Sequence, residues 1–339
     1  MIKIAVDSGT TNCRVKFIEG DRVVRTERSG VGIKDVAAAN GDNTILENAL
    51  KELITKGLEG LNLTLKDVSY VAGSGMITSN LGLLEIPHLT APADYRVFAE
   101  NLKVLDFPWL EGVPFYLIPG MKNDSKKELS SLADIDVMRG EEVETFGVLE
   151  NLGLTEKTLV VLPGSHTKFV YVDENGKMLS CVTTMLGELF SALAECTILK
   201  AALPEGLIES VDEEFVKLGV SYQGSYGLSN ASFATRLLQI QLDTTANQRA
   251  NFLGGALVSD DINNKIMSDI RSGEWKKVVI GGASPLRDLF ALALVEKGVS
   301  PEMMMVLGDD VTKHAPAVGA MKIVDSFLEN SKAELEHIS

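Results

Sequence analysis

The chain has 339 residues, with 32 Lys and Arg against 47 Asp and Glu and a formal net charge of −15. That length predicts two domains rather than one core, and 45% hydrophobic with 23% charged residues is ordinary globular composition, which excludes a disordered chain. Sparse basic clusters argue against nucleic acid, three scattered cysteines against a disulfide or zinc scaffold, and the lack of any run near ~18 apolar residues against a membrane span. The opening MIKIAVD is too short and acidic for a signal peptide, so a reducing cytoplasm is expected.

In chain order, residues 3–24 (KIAVDSGTTNCRVKFIEGDRVV) predict strand, Gly-rich turn, strand, tight turn, strand. A helix is expected over 43–60, where apolar residues recur at helical spacing and a glycine follows. Next come a strand at 68–72 running into Gly73-Ser74-Gly75, a strand at 114–118 and a helix at 140–152. Residues 159–179 (LVVLPGSHTKFVYVDENGKML) again predict a three-stranded meander. Helices are expected at 187–202 and 244–272, with 203–229 as an irregular insertion between them. A strand at 277–280 leads into Gly281-Gly282-Ala283-Ser284 and a helix at 285–297. The chain then runs through a strand at 303–307, whose three methionines suggest burial, into a helix at 315–328.

The two meanders echo one another. Superposed, they place Gly9 on Gly164, Thr10 on Ser165 and Thr11 on His166, a spacing of about 155 residues and far longer than a solenoid repeat. The pattern predicts two related α/β domains, 1–152 and 153–339. Each would be a β-meander continued by αβαβα units, a mixed sheet covered by helices, and the two would face one another across a cleft.

Both hairpin turns suit phosphate. In Asp7-Ser8-Gly9-Thr10-Thr11-Asn12 the glycine admits close approach, successive N–H groups and hydroxyls can wrap phosphate oxygens, and the preceding aspartate can hold Mg²⁺ through its waters. A hairpin rich in turn-forming residues is the bland reading of either turn alone. Pro163-Gly164-Ser165-His166-Thr167-Lys168 repeats the Gly-hydroxyl pattern and adds a cation, which makes coincidence a poor account of the pair. Gly281, Gly282 and Ser284 fit a flat ring against the backbone or, equally, a tight strand-to-helix connection. Glu141 and Glu142 open a helix, where the macrodipole favours carboxylates whatever their function; one of them is also placed to act as a general base. Of the four histidines only His166 lies inside a motif, and His88 is expected to be structural.

With these residues assembled, the chain resembles the sugar kinase, actin and Hsp70 superfamily, and within it the 2-dehydro-3-deoxygalactonokinase (2-keto-3-deoxy-galactonokinase) family. The resemblance runs nearly end to end. It includes AVDSGTTNCR, AGSGMITSNLGL with EIPHLTAPA, IPGM before DIDVMRGEEVETFG, VVLPGSHTKFV, TTMLGELFSAL, NFLGGALVSD and VVIGGASPL, of which DVMRGEE and LPGSHTKFV are the specific ones. It implies two actin-like (ribonuclease H-like) domains, each with a mixed sheet of the five-stranded type, ATP and Mg²⁺, and transfer of the γ-phosphate to the C6 hydroxyl of 2-dehydro-3-deoxy-D-galactonate or a close relative.

On that resemblance Asp7 would position Mg²⁺. Gly9, Thr10, Thr11, Asn12, Gly164, Ser165, His166 and Thr167 would cradle phosphates, with charge from Lys168 or Arg14. Gly281, Gly282 and Ser284 would line the adenosine site in the second half. Met76, Thr78, Asn80 and Arg139 would meet the sugar acid, and Glu141 is favoured over Glu142 as base, the other being solvated or paired with Arg139. Ser8 and Phe169 stand where the family usually has Trp and are expected near the cleft, which leaves room for an acceptor other than 2-dehydro-3-deoxy-D-galactonate.

Two other readings are weighed. An exopolyphosphatase-type phosphohydrolase would need a basic channel for its polyanion, and basic clusters are scarce. A nucleotide-switched actin-like module would usually carry a DNA-binding appendage, and the first strand begins at the N-terminus. The expected partners are a sugar acid and ATP, with no nucleic acid or membrane; a homodimer stays open.

Overall fold

The computed structural model describes residues 1–338, with side chains through Ala333. The strands are β1 (Ile2–Ser8), β2 (Cys13–Glu19), β3 (Arg22–Ser29), β4 (Val68–Gly75), β5 (Leu89–Thr90), β6 (Lys103–Leu105), β7 (Phe115–Leu117), β8 (Met121–Lys122), β9 (Val137–Met138), β10 (Thr158–Leu162), β11 (Thr167–Val172), β12 (Met178–Thr184), β13 (Lys277–Ile280) and β14 (Met304–Val306). The helices are α1 (Ile33–Ala38), α2 (Thr44–Glu59), α3 (Tyr95–Glu100), α4 (Glu141–Leu152), α5 (Leu186–Cys196), α6 (Glu213–Tyr226), α7 (Leu228–Gln241), α8 (Ala246–Asp261), α9 (Asn264–Arg271), α10 (Leu286–Glu296) and α11 (Asp309–Ile338). Among the described residues no helix is long and apolar enough to cross a membrane.

The duplication is explicit in the sheets. The first runs β3-β2-β1-β4-β7-β6 and the second β12-β11-β10-β13-β14. In each, the opening strand pairs antiparallel with the second strand of its meander and parallel with a later strand, β1 with β4 and β10 with β13. The first sheet carries an extra edge strand, β6, antiparallel to β7.

Two compact units result. The first holds Met1–Leu154, Gly176–Cys181 and the chain from His314 onward; the second holds Thr155–Asn175 and Val182–Lys313. The division at 152/153 expected from the sequence does not include these returns of the chain. Residues 176–181 join the first unit because Met178 forms an antiparallel bridge with Ala93, and the Asn123 amide bonds the Cys181 backbone in both directions.

Strand alternation sorts the first unit's side chains. Ile2, Ile4 and Val6 of β1 and Cys13, Val15 and Phe17 of β2 face α2, burying Leu46, Leu50, Leu53 and Ile54 in one core. Each large side chain so buried is worth ~1.5–3 kcal/mol. The opposite face carries Lys3, Ala5, Asp7, Arg14, Lys16, Tyr70 and Ser74. There α11 docks through Asp325, which accepts from Lys3 Nζ at 2.6 Å and Tyr70 Oη at 2.9 Å. Helices α4 and α11 cross at backbone distance: a Cβ on Gly147 would lie 1.8 Å from the Ala315 carbonyl oxygen, and one on Gly319 1.9 Å from that of Val143.

Several expected elements differ. Residues 244–272 form two helices, because the Asn263 side chain accepts from the Lys265 and Ile266 N–H groups and starts α9 afresh. The helix expected over 187–202 stops at Cys196, where Thr197 caps a short 3₁₀ turn. The stretch 203–229 is largely helical rather than irregular, since Asp212 caps α6 and Gly227 separates it from α7. The methionine strand β14 is a half-buried edge rather than a buried strand.

Candidate functional site

In the first unit the candidate residues gather where β1 and β4 end. The Gly9 N–H donates to the Asn12 carbonyl at 2.8 Å, closing the first turn. The Ile33 and Lys34 N–H groups then tie the Gly9 and Thr10 carbonyls to the start of α1. Gly75 ends β4 with φ +82°, and a Cβ there would lie 2.5 Å from the Ser8 carbonyl oxygen. Gly140, φ +115°, stacks on Gly75 in turn, its added Cβ 3.2 Å from the Gly75 Cα. Three backbones thus meet with no room for a side chain, and that brings the head of α4 onto the first turn.

Asp7 is half-buried. It lies directly across from Arg14 on β2 and beside Ser74 on β4, with the Arg14 guanidinium 3.6 Å from its carboxylate. Lys16 lies on the same strand face and is buried, so desolvation lowers its ammonium to about 8 against the pull of Asp7. Glu144, one turn along α4 from Glu141, shares this electrostatic neighbourhood. Burial first, then Asp7 and Glu141, push it up to about 8, while Lys16 and Arg14 hold it down. The sequence reading singled out neither Lys16 nor Glu144. The signal was present: Cys13-Arg14-Val15-Lys16-Phe17 alternates, so Lys16 must follow Arg14 onto the face of Asp7, and Glu144 stands at i+3 from Glu141.

Glu141 and Glu142 diverge as neighbours on a helix must. Glu142 is fully buried, both its oxygens accept from the Gly140 N–H at 2.8 and 2.9 Å, and burial, then Glu141, push its carboxyl up to about 8. Glu141 is half-buried and accepts from the Arg139 N–H at 3.0 Å. The expectation that the second glutamate would be solvated or paired with Arg139 is therefore corrected: it folds back onto its own helix start.

Arg139 instead spans the loop after β4. Its Nη1 donates to the Thr78 carbonyl at 2.7 Å and to the Thr78 hydroxyl, and its Nη2 donates to the Ile86 carbonyl at 3.0 Å and lies 3.2 Å from His88. Thr78 is fully buried and donates to the Gly75 carbonyl, Met76 is half-buried against the core, and Asn80 is exposed. Among the four residues expected to meet the sugar acid, Thr78 acts as a support for Arg139, and Asn80 faces solvent.

In the second unit the turn 163–166 leaves Ser165 and His166 exposed while Thr167 and Lys168 are buried. The Ser165 carbonyl accepts from the Gly187 and Glu188 N–H groups at 3.1 and 3.2 Å, and His166 Nε2 lies 3.3 Å from the Glu188 carboxylate. A Cβ on Gly187 would lie 2.6 Å from the Gly164 carbonyl oxygen, so α5 starts in direct backbone contact with the turn. Gly282, φ +72°, rests on Pro163, where an added Cβ would lie 2.8 Å from the carbonyl oxygen. The fold therefore sets the Gly-Gly turn beside the second phosphate-type turn. Lys168 Nζ bonds the Thr183 hydroxyl at 2.7 Å, and Ser284 bonds Asp288 at 2.6 Å. Both polar groups expected to face a ligand are thus engaged within the protein.

Ser8 and Phe169 are 1% exposed each, and Phe169 meets Phe290 edge-to-face at 6.0 Å. Both are interior residues, so neither side chain is exposed as the expectation of a cleft position would have it.

The donors suit Mg²⁺ only in part. Among the described residues no group of three or more His, Cys, Asp and Glu is arranged to hold a metal ion. Asp7 offers a half-exposed hard carboxylate oxygen, which fits an ion that keeps most of its ligands as waters and phosphate oxygens.

Comparison with known proteins bears on this arrangement. The family profile described as 2-keto-3-deoxy-galactonokinase matches residues 7–315. The 2-dehydro-3-deoxygalactonokinase of Escherichia coli (strain K12) is 30% identical over 201 residues, which span 59% of this chain and 59% of that protein. A probable 2-dehydro-3-deoxygalactonokinase of Rhizobium meliloti (strain 1021) is 26% identical over 87% of this chain and 90% of its own length. A Sinorhizobium meliloti crystal structure provisionally assigned to the same activity superposes with TM-score 0.73 at 24% identity, covering 95% of this chain and 99% of that one. The activator of 2-hydroxyisocaproyl-CoA dehydratase from Clostridium difficile, solved with ADPNP, shares the fold at TM-score 0.51 and 14% identity, over 99% of this chain and 98% of that one.

Proposed function

The chain belongs to the 2-keto-3-deoxy-galactonokinase family, and on that footing we propose that it transfers the γ-phosphate of ATP to the C6 hydroxyl of 2-dehydro-3-deoxy-D-galactonate or a close relative. The observation that carries the reading is the family match itself, over residues 7–315, a span that includes both glycine turns, the Arg139–Glu142 segment and the Gly281-Gly282 turn. The phosphohydrolase and switch readings find no such support.

Phosphoryl transfer asks little covalent chemistry of a protein; positioning and charge neutralisation do most of it. In the first unit Gly9, Thr10, Thr11 and Asn12 would meet phosphate, with Arg14 supplying a half-exposed positive charge beside Asp7. Asp7 would orient the waters of Mg²⁺, an ion that neutralises phosphate charge when bound. Met76, Asn80 and Arg139 would border the sugar acid, Arg139 chiefly by holding the 78–86 loop in shape. Glu141 is the proposed general base. It keeps partial exposure at the head of α4, whereas Glu142 is sealed from any substrate. In the second unit Gly164, Ser165 and His166 would take phosphate, Thr167 being fully buried rather than placed to meet it, and Gly281 and Gly282 would back the adenosine. The cytoplasm is the proposed place of action, in keeping with three free cysteines.

The test is an ATP-turnover assay across a panel of sugar acids, with ³¹P NMR of the product. A kinase turns over ATP rapidly only with its acceptor and yields a C6 phosphate ester. Slow hydrolysis indifferent to every sugar acid would sink the reading.

A further inference from the structure

We propose that Asp261, together with Thr184, is a positioning residue for the second glycine turn and thereby sets the affinity for nucleotide; this rests on the reading that the second unit holds ATP. Asp261 is the last residue of α8 and is buried, which is unusual for a carboxylate with no ion pair among the described residues. Its Oδ2 accepts from the Thr184 hydroxyl at 2.5 Å. Thr184 is the last residue of β12, and two residues later α5 begins with the N–H groups that hold the Ser165 carbonyl. A continuous path therefore runs from Asp261 through Thr184 and the first turn of α5 to Gly164 and Ser165, where the Gly187 backbone leaves no slack.

A second contact points the same way. Thr167, the first residue after the turn, is fully buried, and its hydroxyl has no hydrogen-bond partner of good geometry. It lies near enough to Asp261 to help Thr184 hold that carboxyl down, against burial and the like charge of Asp260, which push it up to about 6. The carboxylate is thus tied by Thr184 to the approach to α5, and Thr167, at the entry to β11, shares its electrostatic surroundings. The cost of burying it is recovered only if the Thr184 hydroxyl stays in place, at the approach to the helix that holds the turn.

Asp261 does not touch the reacting atoms, so its loss should appear in nucleotide affinity rather than in the chemical step. Asp261→Ala is expected to weaken ADP binding in calorimetry and raise the KM for ATP, each by about tenfold, with kcat and the acceptor KM within about threefold of wild type. Thr184→Val should move the same two constants in the same direction, and Thr184→Ser should restore them because it keeps the hydroxyl. The Thr184 pair decides the matter if Asp261→Ala fails to fold. The proposal is overturned if ADP affinity stays within twofold in Asp261→Ala and Thr184→Val, or if kcat and both KM values fall away together. Wild-type protein that binds no ADP would overturn the nucleotide reading and this proposal with it.

Discussion

Arg139 donates from one nitrogen to both oxygens of Thr78, reaching the carbonyl at 2.7 Å, so that a residue at the head of α4 determines the path of the loop leaving β4. Its other terminal nitrogen reaches the Ile86 carbonyl. A lysine ammonium is a point donor and cannot span both ends of this loop. Arg139→Lys is therefore expected to lose about 2 kcal/mol of stability in denaturant unfolding and to raise the acceptor KM at least tenfold, with the KM for ATP little changed. Equal rises in both constants would assign Arg139 to general stability instead.

Glu141 and Glu142 give opposite expectations under isosteric substitution. Glu141→Gln should lower kcat by roughly 10²–10⁴-fold with KM little moved, the range of a lost general base. Glu142→Gln should leave kcat within a few-fold, because that carboxyl faces the Gly140 N–H and not solvent. Full kcat in both variants, measured on the true acceptor, would move the base elsewhere, with Asp136 or Asp7 next to be tested.

Glu142 also predicts a pH signature in stability. Its carboxyl is raised to about 8 in the folded protein, against roughly 4.3 in an unfolded chain. The folded state therefore keeps a proton that the unfolded chain releases. The resulting stability is complete below about pH 4.3 and is lost as pH climbs through 8. Glutamine does not ionise, so Glu142→Gln should match wild type near pH 4.5 and exceed it by a margin that widens as pH rises to about 8 and then levels off. Glu144, raised in the same sense, should leave part of the slope in the variant. Parallel stability curves for the two proteins would contradict the burial argument.

Gly187→Ala tests the contact between α5 and the second turn. The new methyl would lie 2.6 Å from a backbone carbonyl oxygen, which a flexible side chain cannot relieve. Either α5 or the turn must shift. We expect the KM for ATP to rise about tenfold or more and stability to fall by about 1–3 kcal/mol. An unchanged ATP constant would separate this turn from nucleotide binding.

Asp7→Asn should fold normally, since Asp7 is half-exposed and paired with Arg14 only at 3.6 Å. An amide cannot orient metal-bound water as a carboxylate does. Turnover should fall by at least tenfold at limiting Mg²⁺ and recover partly at high Mg²⁺. Wild-type activity across that titration would remove Asp7 from the metal's neighbourhood.

The amino-acid sequence alone determined the duplicated α/β plan. Alternation in β1 and β2 fixes which side chains face α2 and which share the face of Asp7, and the same Gly-hydroxyl turn recurs about 155 residues later. Both are local, periodic signals, and local geometry suffices to read them. Burial and partnership are not local. Only the tertiary structure decided that Glu142 is sealed while Glu141 is not, that Arg139 serves a loop some 60 residues upstream, and that Ser8 and Phe169 are interior. Asp261 ends a helix far from the turn it supports, and no spacing in the chain links it to Thr184, 77 residues away. A pKa or a hydrogen bond depends on what the fold packs around a group, and those neighbours come from elsewhere in the sequence.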